Sequence, residues 1–132
     1  MKIIKANLYR MANFLSSIDM NARTARARNR LVENLLEQAK QYLDEQKEIV
    51  TNIGGTVNQD GSIFYSDDPD VAHKKLLEAD KELRILANET IDLSKNYEEQ
   101  FGTLKAFFED WDGIVKSEFN IVYEDLMQYL EQ

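Results

Sequence analysis

Apolar residues recur at three- and four-residue steps along most of this chain, and the places where that rhythm stops divide it into elements. Leu8, Met11, Phe14, Leu15 and Ile18 share one side of a helical wheel, which predicts a short amphipathic helix over residues 6–18. Ser16, Ser17, Asp19 and Asn21 then interrupt the pattern, and the Asn21 side chain is short and polar enough to cap the next helix. Leu31, Val32, Leu35, Leu36, Ala39, Tyr42, Leu43, Val50 and Ile53 carry a helical period through residues 22–53. Gly54-Gly55 is the expected stop.

After the glycines the period changes. Thr56-Val57 and Ser62-Ile63-Phe64-Tyr65 are β-rich runs around Asn58-Gln59-Asp60-Gly61, which predicts a hairpin over residues 56–65. Two isolated strands are marginal in water, so the ribbon must pack on a helix or a partner. Asp67-Asp68-Pro69-Asp70 is a helix start, with Asp68 as cap and Pro69 in the first helical position. Leu76, Ala79, Leu83, Leu86, Thr90, Leu93 and Tyr97 continue at steps of three and four, predicting a third helix over 69–96. Phe101, Leu104, Phe108, Trp111, Val115, Phe119, Val122, Leu126 and Tyr129 predict a fourth over 100–130.

A break is expected near residues 96–102. Asn96 and Glu99 have the spacing of a capping box, and one helix from Pro69 to the end would be ~90 Å long. The fold class expected from this pattern is mainly α: an elongated helical bundle of three to four helices, in one domain, with one small central β-hairpin.

Composition supports that class and narrows the chemistry. The 132 residues are 43% hydrophobic, with only five glycines and one proline, a balance that favours helices. The absence of cysteine excludes a disulfide framework, a cysteine-ligated zinc site and a thiol nucleophile. Asn7, Arg10 and Asn13 interrupt the apolar residues behind Lys2 and Lys5, so no signal-peptide core is expected, and no apolar run is long enough for a membrane span.

The net charge of −8 is unevenly distributed. Residues 1–30 hold seven bases against one acid, whereas residues 31–132 hold nine bases against 23 acids. Arg23, Arg26, Arg28 and Arg30 are the densest basic group and the candidate interaction residues. On a helix Arg23, Arg26 and Arg30 fall along one stripe while Arg28 points elsewhere. Such a stripe suits phosphates or carboxylates. No aromatic is interleaved with it and the rest of the chain is acidic, which ranks nucleic acid below acidic residues of the fold or of a partner protein.

Catalytic patterns are missing. His73 is the single histidine and has no metal-ligand partner at helical spacing. Glu98-Glu99, Glu109-Asp110 and Glu124-Asp125 are carboxylate pairs, but in amphipathic helices they are more simply a solvated face. Thr56–Asp67 places Asn58, Asp60, Gly61, Ile63 and Asp67 in a calcium-loop frame, with Thr56 where an acid belongs and an aspartate where the bidentate glutamate belongs. Turn chemistry explains Asp60-Gly61 with fewer assumptions. The expectation is a protein that is not an enzyme, needs no cofactor or metal, takes no small-molecule substrate and works by protein–protein contact.

The arginine run Ala25-Arg26-Ala27-Arg28-Asn29-Arg30, the following Leu31-Val32-Glu33-Asn34-Leu35-Leu36 and the Gln59-Asp60-Gly61 turn resemble a family of small uncharacterised proteins. These are encoded by tailed phages and prophages of Gram-positive bacteria. The resemblance implies a phage accessory protein, in the host cytoplasm or associated with the virion, and supplies no catalytic residues. It matches best at Arg26, Arg28 and Arg30 and weakens beyond Ala72. An acidic inhibitor imitating nucleic acid, built on the Asp- and Glu-rich helices, is the alternative reading.

Overall fold

The computed structural model describes the whole chain apart from the side chain of residue 94. Its elements in order are β1 (Lys2–Ile4), α1 (Leu8–Ser16), α2 (Ala22–Asn52), β2 (Thr56–Val57), β3 (Ile63–Phe64), α3 (Pro69–Ala87), β4 (Thr90–Asp92), α4 (Glu98–Glu109) and α5 (Asn120–Leu130). Short 3-10 turns precede α1, α4 and α5. The protein is mainly α, with a small central hairpin as expected. The chain forms two compact units: Met1–Ala39 with Thr90–Gln132, and Lys40–Glu89.

The first unit contains the larger core. All five residues of the α1 stripe, Leu8, Met11, Phe14, Leu15 and Ile18, are buried. Phe14 is the hub of an aromatic cluster, stacked on Phe108 of α4 at 6.4 Å and meeting Phe119 and Tyr123 at 5.6 and 5.9 Å. Leu31 and Leu35 of α2, Phe101 and Leu104 of α4, and Val122 and Leu126 of α5 complete it. Each large apolar side chain withdrawn from water here stabilises the unit by roughly 1.5–3 kcal/mol.

Four sequence expectations need correction. The N-terminal helix begins at Leu8 rather than residue 6, because Lys2–Ile4 is extended and pairs antiparallel with Thr90–Asp92. For the same reason the third helix ends at Ala87 instead of 96. The Asn88 side-chain amide donates to the Arg84 carbonyl at 2.8 Å, and the chain then enters β4, where Ile3 faces Ile91 across the ladder. The Leu93 amide donates to the Met1 carbonyl at 2.8 Å, extending the pairing by one bond. Thirdly, residues 100–130 are two helices. Residues 110–116 are irregular, and the Trp111 indole lies so close over Gly113 that a β-carbon there would overlap the ring. Asn96 does not cap α4: Tyr97 occupies that position and no side chain caps it.

The Lys40–Glu89 unit follows its local signals closely. Helix α2 enters it from the other unit, where Asn21 caps its start by accepting from the Thr24 amide at 3.0 Å. The helix closes at its far end with Gly54 at φ +93°, Gly54 N–H donating to Thr51 O at 2.9 Å and Gly55 N–H to Val50 O at 2.8 Å. That pair of bonds is a Schellman motif, which satisfies terminal carbonyls and favours glycine at the left-handed position. Gly55 is also needed for space, since a β-carbon would sit 2.7 Å from Val50 Cγ1 and 2.8 Å from Tyr65 Cε1. In the hairpin Thr56 faces Phe64 and Val57 faces Ile63. Asp68 caps α3 by accepting from the Asp70 and Val71 amides at 2.9 and 3.5 Å.

Candidate interaction surfaces

The four candidate arginines divide into two groups. Arg28 turns inward: its guanidinium Nη1 donates to the Ile18 carbonyl at 2.6 Å and to the Leu15 carbonyl at 3.3 Å. Those oxygens lie at and just past the C-terminal end of α1, where a cation meets the last carbonyls and the negative end of the helix dipole. Arg28 therefore ties α2 to α1, and its free donors are few.

Arg23, Arg26 and Arg30 point the other way. With Ala27 they line one side of a cleft of about 380 Å³ whose other side is Glu99, Gln100 and Thr103 of α4. None of the three arginines makes an ion pair or a side-chain hydrogen bond among the described residues. The Thr103 hydroxyl donates to the Glu99 carbonyl at 3.2 Å, so its proton is committed. Gln100 is only 9% exposed, and its side-chain amide has no hydrogen-bond partner among the described residues. The arginine stripe was legible from residue spacing. Gln100 was not, because only tertiary packing makes it both buried and adjacent to the stripe.

A second surface lies in the Lys40–Glu89 unit. Its fully buried apolar side chains are Val50, Ala79 and Leu86, whereas Leu43, Val57, Ile63, Phe64, Val71, Leu76, Leu77 and Ile85 are each between 37% and 56% exposed. Soluble monomers leave single apolar residues in water routinely, and here eight large ones are exposed within one unit. The ribbon that the sequence required to be packed is open at both Ile63 and Phe64.

The remaining candidates have local roles. The Asp60 carboxylate accepts from the Ser62 amide at 3.0 Å and the Ser62 hydroxyl at 2.6 Å, bonds that hold its carboxyl below the ordinary range of an aspartate. Those acceptances, with Gly61 at φ +87°, are turn chemistry. Tyr65 is pushed above the ordinary tyrosine range by burial and by the negative charge of Asp80. His73 is exposed on α3. Among the described residues no group of three or more His, Asp or Glu side chains is placed to hold a metal ion, and no helix is long and apolar enough to cross a membrane.

A cleft of about 690 Å³ runs beside the β1–β4 ladder and α5, and its lining mixes Lys2, Asp92 and Asp125 with Ile4, Ile121 and Tyr129. That lining presents no nucleophile–base pair and no concentration of one charge. No family model, curated protein or solved structure matches this chain.

Proposed function

We propose that the chain is a non-enzymatic association module, a phage or prophage accessory protein that works by docking the Lys40–Glu89 unit against another polypeptide. One observation carries this reading: that unit exposes eight large apolar side chains and buries three apolar ones. A unit so built gains stability by covering them, and each half-exposed leucine or phenylalanine that becomes fully buried contributes on the order of 1 kcal/mol. Mixed charge on α3 suits a protein contact as well. Asp70, Glu78, Asp80 and Glu82 alternate with Lys74, Lys75, Lys81 and Arg84, so this helix has no net charge and gives the nucleic-acid-mimic reading little to stand on.

The test replaces Leu76, Leu77 and Ile85 with glutamine together. Light scattering of the purified chain and affinity capture from phage-producing cells are compared between wild type and variant. The expected result is an assembly or a specific captured protein that is lost in the variant while far-UV circular dichroism is unchanged. A strict monomer with no captured protein, or capture that survives the triple substitution, would defeat the reading.

A further inference from the structure

The arginine cleft belongs to the other unit. Arg23, Arg26 and Arg30 are spaced by three and four residues, so their guanidinium groups are displayed one helical turn apart over about 10 Å. Guanidinium is the side chain whose planar fork matches a carboxylate or phosphate with two parallel hydrogen bonds, and it holds its charge at every working pH. Three of them, with no partner among the described residues, face one carboxylate across the cleft, that of Glu99. Gln100 lines the cleft beside them, and its side-chain amide, without a hydrogen-bond partner among the described residues, reaches the cleft's solvent and is available to a bound polar group.

We propose that this cleft binds the carboxylate row of an acidic helix on a partner protein. Carboxylates at i, i+3 and i+7 of a helix repeat at the pitch of the arginine stripe, so each can face one guanidinium, and the Gln100 amide can donate to the nearest of them. A nucleic-acid strand fits less well. The cleft has no aromatic side chain on which a base could stack, Glu99 stands on its rim, and the chain beyond residue 30 carries 23 acids against nine bases. A short acidic helix brings few charges into that field, whereas a nucleic acid brings a continuous row.

The site lies within Met1–Ala39 and Thr90–Gln132 and owes nothing to the apolar side chains of residues 40–89. Its fate and that of the proposed docking face are therefore separable. The experiment is a nitrogen-15 NMR titration of the full chain at low salt. The probes are a capped helical peptide bearing glutamate at i, i+3 and i+7, the same peptide with glutamines, and a single-stranded DNA oligonucleotide.

The glutamate peptide is expected to shift the Gln100 side-chain amide and the Nε–H signals of Arg23, Arg26 and Arg30 saturably, and the glutamine peptide to leave them in place. Arg26→Gln with Arg30→Gln is expected to weaken binding at least about tenfold without changing the rest of the spectrum, since both side chains are exposed. The L76Q/L77Q/I85Q chain is expected to bind as wild type does. Three results would overturn the proposal: no movement at Gln100, equal response to the glutamine peptide, or tighter binding of the oligonucleotide, which would assign the cleft to phosphodiester backbones.

Discussion

Arg28 and Arg26 are two residues apart in one basic run, yet the structure assigns them opposite roles, and replacing each with methionine separates those roles. Methionine keeps much of the apolar stem and removes the donors and the charge. For Arg28 the loss is a charged hydrogen bond to Ile18 O at 2.6 Å, a weaker one to Leu15 O at 3.3 Å, and a cation at the C-terminal end of α1. A hydrogen bond from a charged group contributes about 1.5–3 kcal/mol, and a cation at a helix C-terminus about 0.3–1 kcal/mol. Arg28 is half-buried and solvent recovers part of the loss, so about 2 kcal/mol is expected. In a unit of this size that lowers the melting temperature by roughly 10 °C.

Arg26→Met removes an exposed side chain with no partner, and its effect should stay within about 0.5 kcal/mol. Thermal melts followed by circular dichroism and by Trp111 fluorescence report both. Arg28→Lys should fall between them, since one ammonium cannot reproduce the guanidinium's geometry. Equal melting temperatures for Arg28→Met and Arg26→Met would refute the division of the arginines into a structural tie and a free stripe.

Other substitutions test the remaining joints. Gly55→Ala forces a β-carbon against Val50 and Tyr65 and should cost about 1–3 kcal/mol, read as lost amide protection in residues 40–89 while the other unit keeps its own. Asp68→Ala removes the α3 cap and should cost about 1 kcal/mol in urea unfolding. Because the folded-state pKa of Tyr65 is raised, its neutral form contributes stability that is complete below the ordinary tyrosine value of 10.0 and is lost as pH rises through the folded value; Asp80→Asn should lower that value in an ultraviolet titration of the phenol.

The parts of the fold that were legible in the sequence are those fixed by near neighbours. The α1 stripe, the Asn21 and Asp68 caps, the Gly54 termination and the Asp60-Gly61 turn each depend on residues a few positions apart, and all are present. The β1–β4 ladder joins Lys2 to Asp92, a pairing no local pattern encodes. Thr90 and Leu93 also happen to continue the helical steps of Leu83 and Leu86, so the period carried the expected third helix past Asn88, where it stops. The 110–116 break was hidden likewise, because Trp111 and Val115 keep helical spacing even though the chain between them is irregular. For the candidate site, spacing separated Arg28 from its neighbours, but the carbonyls it serves and the burial of Gln100 arise only when helices distant in sequence meet.

Hydrogen exchange on the free and assembled chain reads each segment separately and so locates the docking surface. Amides of α3 and of residues 56–65 are expected to slow on association, in step with the assembled fraction, and not to slow in the L76Q/L77Q/I85Q chain. Association with unchanged exchange throughout residues 40–89 would contradict docking through this unit.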